Sequence, residues 1–326
     1  MKLKLFAGRL GRCVATMLVL ASSIAWAQEF PTKPIRLMVP YPAGGTTDLM
    51  ARTLQESMQK TLGQSIIVIN KGGATGTIGT REVAQAAPDG YSMLFVIGTQ
   101  LMVTPLVVKD AGYAPKDFVP IGRVSAAPLF AVINGALPVN DLKGFIEYAR
   151  KQPDGVEYAS SGIGATSHLA TEMLARTAGI KMLHVPFAGT APATQAVLSG
   201  QVKLVITSGS TAMSSYIASG KLKLLGITSA EPSALAPGAP TLNTVVPGYA
   251  VDIWWGLFAP AATPPAIVAK LNEALKTALS LPEVRAGFEK FGVIAKASTV
   301  EELRTAMTDE APRWAGVVRE VGLKPE

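Results

Sequence analysis

The sequence predicts an α/β protein of two lobes, each built on a mostly parallel sheet flanked by helices. Three observations predict it. Apolar, strand-like runs alternate with helical patterns almost from end to end, the order that βαβ units impose. Behind a short leader there remain about 300 residues, enough for two domains. The segment YPAGGTTDLMAR, Tyr41 to Arg52, is a Gly-rich turn between a strand end and a helix start.

The strands expected in order are Ile35–Pro40, Ser65–Asn70, Tyr91–Ile97, Pro128–Asn134, Val156–Ser160, Lys181–Phe187, Lys203–Thr207, Leu222–Thr228 and Asp252–Ala259. Helices fit between them. Met50, Leu54, Met58 and Leu62 recur every four residues and form one apolar stripe. Asn140 is a candidate cap for a helix carrying Leu142, Phe145, Ile146 and Ala149. Thr263-Pro264 reads as a cap followed by proline at the first helical position, ahead of Ile267, Leu271, Ala274, Leu275 and Ala278. Ser298 with Glu301 reads as a capping box that opens the last helix. Two stretches are candidate crossings between lobes, 119–127 and the Pro/Gly-rich 233–247. Together they predict a discontinuous lobe of residues 28–127 plus 251–326, with 128–250 inserted as the second lobe.

Residues 1–27 have the form of a cleaved signal peptide. Lys2, Lys4, Arg9 and Arg12 make a positive start, 13–24 is apolar, and Ala25-Trp26-Ala27 is a small-x-small cleavage site. The apolar stretch is too short for a span of about 20 residues. Cys13 lies in this leader, so the mature chain has no cysteine, and neither disulfide nor thiolate chemistry is open to it. The formal charge of +7 falls to +3 when the four basic leader residues go. With scattered basic residues and few aromatics, nucleic acid is a poor partner.

Four loops share one form: strand, small residues, helix start. They are Gly44 to Asp48, Lys71 to Gly79, Ser160 to His168 and Pro186 to Ala191. A helix start offers unpaired backbone N–H groups and partial positive charge, a site for a small anion that needs no charged side chain. Glycine lets the backbone approach a ligand, and Ser/Thr hydroxyls add hydrogen bonds. Asp48 reads either as a ligand contact or loop lock, or as an acid favoured in any first helical turn. His168 reads as a hydrogen-bonded structural residue or as a base, and His184 as a core residue of the run MLHVPF. Trp255 could stack on a ligand ring or fill the lobe interface, and Tyr41 could edge the cleft or pack. No G-x-S-x-G elbow, Walker loop or H-E-x-x-H occurs, and two histidines without cysteine make no convincing metal site. The expectation is therefore a binder, not an enzyme, with no cofactor.

These residues resemble the substrate-binding proteins of tripartite tricarboxylate transporters, the Bug-type periplasmic receptors. The matching segments are VPYPAGGTTDLMAR (39–52), NKGGATGTIGT (70–80), APDGYSMLF (87–95), SSGIGATSHLA (160–170), VPFAGTAPA (185–193), SGKLKLLGITS (219–229) and WWGLFAPAATP (254–264). They run in family order over nearly the whole mature chain. The resemblance implies a type II-like periplasmic binding protein, its lobes joined by crossing strands and closing on a ligand. It implies a monomer that delivers a small organic carboxylate to cognate membrane permease subunits. By position, Tyr41, Gly44, Gly45, Thr46 and Asp48 would form the first half-site. Ser160, Ser161, Gly164, Ala165 and Thr166 would form the second, with Phe187, Gly189, Thr190 and Ser208 nearby. One departure stands out: where the family often carries an acidic segment, this chain has Thr207 and Ser208. That difference points to a ligand without a cationic group. A secreted hydrolase and a receptor feeding a sensor kinase are the competing readings.

Overall fold

The computed structural model describes residues 30–73 and 76–325, so the leader and residues 74 and 75 of the second loop lie outside the described residues. Every expected strand is present. β1 (Ile35–Val39), β2 (Ile66–Asn70) and β3 (Ser92–Ile97) are joined by α1 (Thr46–Leu62) and α2 (Thr77–Ala84), and α3 (Gly98–Val107) follows. β4 (Phe118–Asn134) leads through α4 (Leu142–Arg150) to β5 (Val156–Ser160), α5 (Thr166–Ala178) and β6 (Met182–Pro186). Then come α6 (Thr190–Leu198), β7 (Leu204–Ser208), α7 (Thr211–Ala218) and β8 (Leu222–Ile227). β9 (Asp252–Pro260), α8 (Pro265–Ser280), α9 (Pro282–Lys290), β10 (Ile294–Ala295) and α10 (Val300–Val321) complete the chain.

Two parallel blocks form, β2-β1-β3 and β6-β5-β7, as right-handed crossovers through helices allow. Antiparallel strands connect them. β9 pairs with β3 and with the first part of β4, from Phe118↔Pro260 to Pro128↔Asp252. The rest of β4 pairs with β7 and β8, from Leu129↔Ser208 onward. The 119–127 run is thus the front of a 17-residue strand shared by both sheets. The 233–247 stretch returns toward β9 as loop with one 3-10 turn at Leu242–Thr244, held by hydrogen bonds from Ile227 N to Pro240 O and from Val251 N to Thr228 O.

Packing follows the periodicity. Met50, Leu54 and Met58 are fully buried and Leu62 nearly so, on the face α1 turns to the sheet. Gly63 then ends α1 in the left-handed conformation, φ 68°. A second cluster under β4, β7 and β8 gathers Phe130, Val132, Val197, Val205 and Ile227.

Three expected caps are each displaced by one residue. Asp141, not Asn140, caps α4, accepting from Gly144 N at 2.7 Å. The cap position of α8 is Pro264, with Pro265 first in the helix, and Thr263 Oγ1 donates backward to Pro260 O at 2.7 Å. The last capping box is Thr299 with Glu302, because the Ser298 hydroxyl instead accepts from Arg123 N at 2.9 Å. At α4 and α10 an adjacent residue supplied the same capping chemistry, whereas at α8 the cap position falls on a proline, which has no side-chain acceptor to offer.

A candidate ligand cleft lined by uncapped helices

A cavity of about 770 Å³ lies between the two sheets. Its walls come from the first loop (Tyr41, Pro42, Thr46, Thr47), the second (Gly72, Gly73, Gly76) and the third (Ser161 to Ser167). Thr190 adds the start of α6, Thr207 and Ser208 the end of β7, and Gln100, Thr104 and Val107 one side of α3. Pro40, Ile97, Leu129, Pro186, Ile253 and Trp255 complete it. No described residue lining the cleft is charged.

The helices that reach this cavity have one property in common. α1, α2, α3, α5 and α6 start from Gly45, Gly76, Ile97, Ala165 and Gly189, and none receives a side-chain cap. Among the described helices elsewhere, α4, α7 and α10 are capped by Asp141, Ser210 and Thr299, and α8 and α9 have proline in the first turn. A cap occupies one or two of the orphan amides at a helix start. At the cleft helices α1, α5 and α6, where neither a cap nor a first-position proline takes up an amide, those groups and the positive ends of the dipoles stay available to a bound group. Leu49 N to Gly45 O and Leu169 N to Ala165 O are the first backbone bonds of α1 and α5, so the amides of residues 46–48 and 166–168 precede the helical ladder.

The first loop is braced by charge. Asp48, 2% exposed, accepts from Gly44 N at 2.8 Å and from Arg52 Nε at 3.1 Å through Oδ2. Its Oδ1 lies equally close to that Nε without a hydrogen bond of its own. Arg52 continues to Asn70 Oδ1 at 3.2 Å, and Asn70 donates to Tyr41 O at 3.3 Å. Burial pushes the Asp48 carboxyl up, but Arg52, Gly44 N–H and Asn70 together outweigh it and hold the group below its ordinary value. Tyr41 is fixed from the other side, its hydroxyl accepting from Ile97 N at 3.2 Å, and burial raises its pKa far above that of a free phenol. Trp255 donates from Nε1 to Thr47 Oγ1 at 2.9 Å, so it both lines the cavity and ties β9 to the first turn of α1.

The third loop is braced without charge. Gly164 N donates to His168 Nδ1 at 3.0 Å, which makes Nδ1 an acceptor and the ring neutral. His168 stacks on His184 with centroids 3.7 Å apart and planes 8° from parallel, and the Tyr158 ring lies 5.1 Å from His184 and 6.4 Å from His168. His184 Nε2 is 2.6 Å from Ser160 Oγ, which in turn accepts from Gly162 N at 3.1 Å. Ser167 Oγ accepts from Ser161 N at 2.9 Å and pairs with Ser161 Oγ. Burial, with the facing His184 second, lowers the His168 pKa to about 3, and burial lowers that of His184.

Of the residues expected in the site, Tyr41, Thr46, Ser161, Gly164, Ala165, Thr166, Thr190 and Ser208 line the cavity. Gly44, Gly45, Asp48, Ser160, Phe187 and Gly189 fall outside its lining; Asp48 and Ser160 are the loop braces just described. Gly45 is extended, φ −77°, and a Cβ there would meet Pro42 O at an ordinary 3.6 Å, so the fold does not itself require glycine at this position. Ile97, Leu129 and Ile253 join the site from expected strands, and Thr104 and Val107 join it from α3, a helix the sequence reading did not assign.

Comparison with known proteins agrees with this geometry. Residues 50–323 match the family described as tripartite tricarboxylate transporter family receptor. The chain is 34% identical to protein BugT of Bordetella pertussis (strain Tohama I), over 91% of this chain and 92% of that one. A protein of R. palustris solved with adipate superposes with a TM-score of 0.77 at 29% identity, covering 91% of this chain and all of the other. MatC from Rhodopseudomonas palustris, solved with bound malate, gives 0.73 at 32% identity, covering 89% of this chain and all of the other.

Proposed function

The chain belongs to the tripartite tricarboxylate transporter receptor family, a family of periplasmic solute receptors and not enzymes, and from that premise we propose that its cleft binds a small organic carboxylate and delivers it to a membrane permease. One observation carries the reading: five uncapped helix starts surround a cavity with no charged lining residue. A carboxylate satisfies orphan amides and Thr hydroxyls at once, and it needs no arginine to do so. Related proteins solved with adipate and with malate support the same class of ligand.

The half-sites come from opposite sheets, so each is incomplete alone. The lobes proposed are 28–127 with 251–326, and 128–250, with β4 running through both. Ligand would then favour the arrangement in which the first and third loops face each other, and closure would be its signal to the transporter.

A thermal-shift screen of organic acids tests this. A carboxylate at 100 times its dissociation constant should add about 2.7 kcal/mol of stability. The proposal fails if no mono-, di- or tricarboxylate raises the melting temperature at millimolar concentration.

A further inference from the structure

We infer that the cleft selects a carboxylate whose remaining body is hydrocarbon, free of hydroxyl and ammonium groups. This rests on the carboxylate-receptor reading and narrows it. The observation is a separation within the cavity between a polar rim and an apolar floor.

The floor follows from strand register. Ile97 of β3 lies opposite Trp255 of β9, and Ile253, two residues along on the same face, lies opposite Ala127 of β4. Leu129 is two residues beyond Ala127 and therefore on that face as well, opposite Ser208 of β7. One sheet face thus carries Ile97, Trp255, Ile253 and Leu129 across the cavity and ends at Ser208 of β7, while Val107 of α3 adds apolar lining against Gly164 of the third loop. Three polar groups beside this floor are committed to protein, Trp255 Nε1 to Thr47, the Tyr41 hydroxyl to Ile97 N, and Thr104 to Tyr113, and the hydroxyls of Thr207 and Ser208 stand only at its β7 end.

The rim is the reverse. Thr46, Thr166 and Thr190 occupy the first positions of α1, α5 and α6, beside the uncapped amides. Their hydroxyls make no hydrogen bond among the described residues. A carboxyl at the rim is well served, while a hydroxyl pressed on the floor gives up water without a partner. An ammonium there meets no carboxylate, since no acidic residue lines the cavity.

Calorimetric titration with benzoate, adipate, malate, citrate and glutamate tests the selection. Benzoate or adipate should bind at least tenfold more tightly than the other three, since each buried methylene alone is worth roughly fourfold. Val107→Thr, nearly isosteric at a half-buried position, should reduce that preference by roughly fivefold. If malate, citrate or glutamate binds as tightly as the hydrocarbon acids, the selection is wrong and the receptor reading stands. If none of the five binds, the receptor reading fails and this inference fails with it. An unchanged preference in Val107→Thr would overturn the role of the apolar lining.

Discussion

The first and third loops present the same thing to the cleft, a helix start without a cap, yet one is held by ions and the other by neutral rings. Asp48 and Arg52 brace the first loop from behind; His168, His184 and Ser160 brace the third. The difference teaches how an anion site can be kept free of charge. A lone Asp48 in the first turn of α1 would compete with an incoming anion for the same dipole. Its pairing with Arg52 cancels that competition. The third loop has no acid to cancel, and an unprotonated imidazole supplies the acceptor that Gly164 N requires. Both solutions keep the backbone as the recognition element.

The comparison breaks most visibly at Asp48. Asp48→Ala removes the acceptor for Gly44 N and leaves Arg52, whose side chain is half exposed, to Asn70 and water. We expect a loss of about 2–3 kcal/mol in urea unfolding, where a hydrogen bond to a charged group is worth roughly 1.5–3 kcal/mol. Carboxylate affinity should fall with it. An unaltered unfolding midpoint would show that the first loop does not depend on its ionic brace.

The third loop should reveal itself through pH. Above pH ~6.5 His168 is neutral in both folded and unfolded chains, so it contributes no pH dependence. As pH falls below that value the unfolded chain takes up a proton that the folded chain, with His168 at about 3, refuses. Stability therefore declines by about 1.4 kcal/mol per pH unit for this group, and His184 shifts the same way. Asp48 works in a lower window: its lowered pKa contributes stability above the ordinary carboxylate value of roughly 3.9, lost only as pH falls through the folded value. From pH 6.5 to 5 the wild type should lose about 2 kcal/mol from His168 alone, and His168→Gln should flatten that decline. An identical slope in the variant would remove the neutral brace from the account.

The smallest effect separates two glycines. Gly164 has φ +73°, and a Cβ there would sit 3.2 Å from Val107 Cγ2, so Gly164→Ala should cost about 1–2 kcal/mol through backbone strain. Gly45→Ala is at an extended residue with room for a methyl and should cost less, about 0.5 kcal/mol, the lower end of what alanine costs at a helix N-cap. Equal thermal shifts for the two would contradict the difference in backbone conformation.

Much of this was legible in the sequence, and the rest was hidden for identifiable reasons. Strand positions followed from apolar runs bounded by turns, and the stripe Met50, Leu54, Met58, Leu62 gave α1 its buried face. Caps slipped by one residue because Asn140-Asp141 and Ser298-Thr299 each place two competent caps side by side. The floor residues Ile97, Leu129 and Ile253 were invisible as site residues, since an apolar strand residue looks the same whether it meets a helix or a ligand. The histidine stack was invisible too: His168 on α5 and His184 on β6 meet only once β5 and β6 pair. Two-residue β10 was too short to show a period.

The pairing of β9 also orders the events by which the chain becomes a protein. β5, β6, β7 and β8 find their partners within one stretch following β4, whereas β3 and the front of β4 must wait for residues 252–260. Contacts that span so much chain form late, because the loop they close costs entropy before it returns any contact energy. Until β9 arrives, β3 is an open sheet edge, able to pair with another chain. The half of the molecule that emerges first is therefore finished last, and until β9 docks, that edge is the place a chaperone would most usefully cover.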